Sequence, residues 1–101
     1  MNIFMDDTRP APYKYMLAHT VEEALAFIRA NEVDIVSLDY NMGFRRLNGF
    51  DFVEMFCKEG LYVKEIHLHS DDVIGVMKMK ERLCVAKENG QIDRRIVVRR
   101  V

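Results

Sequence analysis

Three short stretches of this sequence, "DDTR" at 6–9, "LDY" at 38–40 and "HLHS" at 67–70, concentrate side chains that bind metals, phosphates or protons. Asp6 and Asp7 are adjacent carboxylates, and Asp39 is a third. Brought within a few Å, such groups cannot all stay ionised without a counter-charge, so either a proton is shared or a cation binds. A hard divalent ion answers that need. Mg²⁺ takes carboxylate, carbonyl and water oxygens, and one or two carboxylates plus a phosphate usually complete its shell. Arg9 offers a guanidinium fork that could meet a phosphate so held, or close on Asp6 or Asp7 as an ion pair. His67 and His69 stand two apart on an extended segment and so share one face. Both are candidates for acid–base work or ligand contact, His69 first because it is nearer the segment's end.

These stretches meet only if the fold brings strand ends together. "NIFM" at 2–5 reads as a short buried strand stopping at Asp6-Asp7, and "TRPAP" bars a regular helix after it, because two prolines remove donors and fix φ. "YKYMLAH" is a second extended segment. Thr20 and Glu23 then form a T-x-x-E capping box, and Val21, Ala24, Leu25 and Ile28 make one apolar face of a helix ending near Asn31. "DIVSLDY" reads as a central strand with Asp39 at its carboxyl end. Phe52, Val53, Phe56 and Cys57 mark a helix from about Gly49 to Gly60, and "VKEIHLHS" is the next strand. Ser70-Asp71-Asp72 suits the start of another helix, in which Val76, Met79, Leu83 and Ala86 share a face and Asn89-Gly90 ends it. "RRIVVRRV" is the last strand. The order β, β, α, β, α, β, α, β implies a mostly parallel α/β sheet. Ligands of such sheets gather beyond the carboxyl ends of the strands, where Asp6, Asp7, Asp39 and Ser70 all fall.

The 101 residues suffice for one core, hence a single domain over 1–101. A net charge of −1 argues against nucleic acid or an anionic membrane as the main partner. "MNIFMDDTRP" lacks the pattern of a signal peptide and no apolar run nears the roughly 18 residues of a membrane span, so a cytoplasmic protein with no membrane partner is expected. Cys57 and Cys84 lie in helix-like apolar stripes without a CxxC pair and are expected to be reduced core thiols. The seven methionines are expected to fill gaps in the core, and "KMKERLCVAK" to give the solvent face of its helix.

The acidic pair after the first strand, "LDYNMG" after the third and Ser70 ending the fourth resemble the receiver domain of two-component response regulators. That resemblance implies a flavodoxin-like sheet of five strands. It implies Mg²⁺ on Asp6 and Asp7, phosphorylation of Asp39, a metal-binding carbonyl at Asn41 and a hydrogen bond from Ser70 to the phosphoryl group. The helices are reduced, however: Pro10 and Pro12 occupy the place of the first receiver helix and no residues remain for the last, while "IVVRRV" carries Arg99 and Arg100 where receivers end a strand on lysine. "DDTRPAP", "SLDY" and "HLHS" are more closely similar to the cyclic-phosphate processing receiver-like domains, a divergent branch. That branch implies processing of cyclic phosphate termini of RNA or of cyclic nucleotides.

The leading expectation is therefore a small metal-dependent protein acting on, or binding, a cyclic or terminal phosphate. Asp6 and Asp7 would hold Mg²⁺, and Asp39 would be nucleophile, base or third ligand. Arg9 and Ser70 would steady the phosphoryl oxygens, and His69 would protonate the leaving oxygen. A stand-alone receiver phosphorylated on Asp39 and a non-catalytic interaction module are the alternatives. Arg45 and Arg46, on the loop after Asp39, could contact a phosphate-bearing substrate or simply face solvent. A sheet face without helices would be partly polar, with Ser37, His67 and His69 as its candidates, or would bury itself in a homodimer.

Overall fold

The apolar runs become strands and the amphipathic segments become helices in the expected order. The computed structural model describes residues 1–101, with β1 (Asn2–Met5), β2 (Tyr15–Ala18), α1 (Val21–Ala30), β3 (Ile35–Leu38), α2 (Gly49–Glu59), β4 (Glu65–Leu68), α3 (Val73–Glu88) and β5 (Val97–Arg100). Each helix starts on a side-chain cap. Thr20 Oγ1 accepts the Glu23 N–H while the Glu23 carboxylate accepts the His19 N–H. Asn48 and Asp51 cap α2 reciprocally, and Asp72 accepts the Gly75 N–H at α3.

All four strand pairings are parallel, in the order β2-β1-β3-β4-β5. The connections β2–α1–β3, β3–α2–β4 and β4–α3–β5 all advance the same way along the sheet, so right-handed crossovers place the three helices on one face. Ile3, Val36 and Ile66 stand in register there, as do Met5, Leu38 and Leu68, and all six are fully buried. Val21, Ala24, Leu25 and Ile28 of α1, Phe52, Val53, Phe56 and Cys57 of α2, and Val76, Met79, Leu83 and Ala86 of α3 complete the core. Cys84 departs from expectation: it is exposed, because the buried stripe of α3 runs through Leu83 and Cys84 lies about 100° further round the helix. The methionines divide likewise, with Met5, Met42 and Met79 in the core and Met1, Met16 and Met77 exposed.

The connection from β1 to β2 advances in the opposite direction, so it crosses the face that lacks helices. It uses only residues 6–14, with Pro10 and Pro12 in an extended path and no helix. By register, Phe4, Leu17, Ser37, His67 and Arg99 share this face. It mixes polar and apolar residues, Ser37 and His67 among them. No helix of the chain is long and apolar enough to cross a membrane.

Candidate metal centre

The carboxyl ends of β1, β3 and β4 carry Asp6, Asp39 and His69. One further parallel hydrogen bond beyond each strand fixes the backbone of all three: Asp6 N–H to Ala18 O, Asp39 N–H to Met5 O and His69 N–H to Leu38 O, at 3.0–3.1 Å. Asp6 is wholly inaccessible to solvent. Its Oδ1 accepts the backbone N–H groups of Thr8 and Arg9, both at 2.9 Å, and the Thr8 hydroxyl at 3.3 Å. Its Oδ2 lies 2.9 Å from His69 Nε2 and 3.7 Å from the Arg9 guanidinium. Burial pushes the Asp6 carboxyl up, but the Arg9 and Thr8 amides and the His69 contact outweigh it, holding the group below the ordinary value of 3.8.

His69 is clamped on three sides. Its ring stacks on Phe4 with centroids 4.2 Å apart and planes 7° from parallel, and Nδ1 lies 2.7 Å from Ser37 Oγ. An ionised Asp6 can only accept, so Nε2 carries a proton; in the neutral imidazole Nδ1 then accepts from the Ser37 hydroxyl, a tautomer assigned from the network. Ser37, His69 and Asp6 thus form a buried hydrogen-bonded chain across three strand ends. No buried side-chain nitrogen or oxygen lacks a partner.

Asp39 closes the cluster. It is buried and one carboxylate oxygen accepts the Tyr40 N–H at 2.8 Å. One ligand atom from each of Asp6, Asp39 and His69 lies within 4.8 Å of the others, close enough to chelate one divalent ion. A bound ion would take the place of the proton between Asp6 Oδ2 and His69 Nε2, which lie 2.9 Å apart. Two carboxylates and an imidazole accept hard and borderline ions alike.

Of the cluster, Asp39 lines a polar cleft of about 460 Å³, together with Asp7, Thr8, Arg9, Asn41, Gly43, Phe44 and residues 70–72. Asp7, Asp39, Asp71 and Asp72 outnumber the one cation there, Arg9, so an anion entering the cleft requires added positive charge. Arg9 braces the cleft from β1 to β4, donating to the His69 carbonyl at 3.2 Å and the Asp71 carboxylate at 2.7 Å. Ser70 Oγ accepts the Asp72 N–H, and Asn41 Oδ1 accepts the Gly43 N–H. Gly49 lets the start of α2 pack closely on the Asp39 backbone: a Cβ there would lie 2.3 Å from the Asp39 carbonyl oxygen and 2.8 Å from Met79 Sδ.

His67 stands apart. It pairs with Glu65 at 2.9 Å, and Arg99 reaches the same carboxylate at 3.5 Å, so those two hold the Glu65 carboxyl low. Arg45 and Arg46 line a neighbouring recess with Thr20, Glu22 and Met42, and the structure does not bring them onto the acidic cluster. A larger groove of about 570 Å³ runs between Tyr40, Phe50 and Val85, but its Arg82 is already held by Glu54 and Gln91 and no metal-ligating cluster lies there. The sequence pointed to Ser37 only as a polar residue on the helix-free face. Its bond to His69, and the Phe4 stack, depend on a strand register that residue types do not encode.

Residues 1–84, which contain every residue of this cluster and cleft, match the model of the family described as the cyclic-phosphate processing receiver domain. No curated protein matches the chain, and no solved structure does. A parallel receiver-type sheet with an Asp, Asp, His cluster at its strand ends is therefore more than a likeness of motifs: the chain belongs to the cyclic-phosphate processing receiver family.

Proposed function

We propose that the protein hydrolyses, with a bound divalent ion, a cyclic or terminal phosphate of a nucleotide or RNA end. The observation that carries this reading is a buried, convergent Asp6, Asp39 and His69 set whose Asp39 lines a cleft too anionic to take a phosphate unaided. The ion is Mg²⁺ in this proposal, the usual companion of carboxylates and phosphates, with Mn²⁺ tolerating the imidazole as well. When bound it neutralises the phosphate and lowers the pKa of a water molecule. Asp39 and Asp6 would hold the ion, with His69 as a third ligand through an unprotonated Nε2. Asp7 and the Asn41 carbonyl, from the lining of the same cleft, would be its further ligands. Arg9 and Ser70 orient the phosphoryl oxygens; water adds to phosphorus as the bond to one ester oxygen breaks, and the proton lost by the water balances the one gained by that oxygen, so a cyclic phosphate gives the monoester and a terminal phosphate gives inorganic phosphate.

Ser37 fits both states of His69. Its hydroxyl donates to Nδ1 when Nε2 is protonated, and accepts from Nδ1–H when Nε2 is a ligand. His67, tied to Glu65, has no part in the proposal. The two free thiols are consistent with a reducing cytoplasm. The test is turnover of a nucleoside 2′,3′-cyclic phosphate with Mg²⁺ or Mn²⁺, abolished by EDTA and by Asp39→Asn. Acid-labile phosphate on Asp39 from acetyl phosphate, with no turnover of cyclic phosphates, would favour a signalling receiver instead.

A further inference from the structure

Phe44 contributes nothing to the core, yet it sits at the rim of the cleft that Asp7 and Asp39 line, with 88 % of its surface exposed. Its placement is built. Gly43 has a φ of 108°, open to glycine and strained for other residues, and a Cβ there would come within 3.3 Å of Asp7 Oδ2. The Asn41 side chain accepts the Gly43 N–H at 3.2 Å, and the Arg46 N–H reaches the Gly43 carbonyl at 3.4 Å. Arg45 adopts the left-handed region with a φ of 59°, uncommon for a residue with a Cβ and typical of functional loops. Its guanidinium lies over the Phe44 ring, 5.3 Å from the centroid. One ring face is backed by a cation and the exposure of the residue leaves the other to solvent.

We infer that Phe44 and Arg45 form a stacking platform for a nucleobase, so that the substrate is a nucleoside phosphate rather than a base-free phosphate ester. This rests on the proposed function, since the base is placed by a phosphate held in the cleft. The cleft volume of about 460 Å³ falls within the roughly 300–1,000 Å³ of small-molecule sites. An aromatic ring accepts any base through its π face, and arginine beside it adds a cation–π contribution. The platform selects for the presence of a base more than for its identity.

The test compares two probes of matched phosphate on the Mg²⁺-loaded protein by calorimetry: adenosine 3′-phosphate and the base-free glycerol 2-phosphate. The nucleotide should bind about tenfold tighter or more, from the cost of removing one base–aromatic stack. Phe44→Ala should reduce that ratio to within about twofold while leaving glycerol phosphate binding unchanged, and Phe44→Trp should keep it. Equal binding of both probes to the unaltered protein, or equal weakening of both by Phe44→Ala, overturns the platform and leaves the phosphate site standing. Binding of neither probe overturns the phosphate site and the platform with it. An unchanged melting temperature in Phe44→Ala confirms that the ring is not structural.

Discussion

Truncating Ser37 to alanine isolates the buried chain that holds His69. The hydroxyl is 2.7 Å from His69 Nδ1, Ser37 is 4 % exposed and the imidazole side chain 9 %. Alanine leaves the buried Nδ1 acceptor without its hydrogen-bond donor. The ring cannot escape by changing tautomer, because an unprotonated Nε2 would face the Asp6 oxygen lone pairs at 2.9 Å. An unsatisfied buried acceptor costs about 1–3 kcal/mol. At about 4–8 °C per kcal/mol for a chain of this size, the melting temperature should fall by about 4–24 °C. Urea unfolding followed by circular dichroism should show a lower midpoint with an unchanged m-value, and Ser37→Thr, which keeps the hydroxyl, should recover most of the loss. Nitrogen chemical shifts of the His69 ring should report Nε2–H in the metal-free protein. A Ser37→Ala protein within about 0.5 kcal/mol of the original, with an unchanged ring spectrum, would refute the chain as an energetic unit.

Two further outcomes follow from single contacts. Gly49→Ala should destabilise by about 1–3 kcal/mol or more despite the better helix propensity of alanine, because the new methyl meets the Asp39 carbonyl oxygen and must shift backbone rather than a mobile side-chain end; thermal unfolding checks it. Side-chain and backbone bonds from Arg95 lower the Asp93 carboxyl to about 2, from an ordinary value of 3.8. Its contribution to stability is therefore present above about pH 4 and is lost as the pH falls through 2. The Asp93 carboxyl carbon should titrate with a midpoint near 2 by NMR, and in Arg95→Ala that midpoint should return towards 3.8.

The parts of this molecule visible in its residues are those that depend on local spacing. Thr20 with Glu23, the stripe from Val21 to Ile28 and the left-handed Gly60 each announce a helix boundary within a few residues. The strand-end rule for parallel sheets then places Asp6 and Asp39 together without knowledge of any contact. Partner choice was not visible. "HLHS" offers two histidines on one face, ranked in the sequence only by nearness to the strand end, and the structure supplies their partners: His69, beyond the strand, turns onto Phe4 and Ser37, while His67 stays within the sheet beside Glu65. Cys84 was misplaced for a related reason. A helix of mixed composition carries two overlapping apolar stripes, and tertiary packing, not periodicity, decides that Leu83 is buried and Cys84 is not. Phe44 carries no periodic signal, because its position depends on the left-handed backbone at Gly43 and Arg45.

The central claim is that the ends of β1, β3 and β4 form one divalent-cation site. Paramagnetic broadening by Mn²⁺ in an amide-resolved NMR spectrum tests it most directly, since the effect falls steeply with distance from the ion. At substoichiometric Mn²⁺ the amides of Asp6, Asp7, Asp39, Tyr40 and His69 should broaden first, and Asp39→Asn should abolish the effect at all of them together. Sharp signals at those positions while Asp34 or Asp93 broadens, or a pattern unchanged by Asp39→Asn, would contradict it.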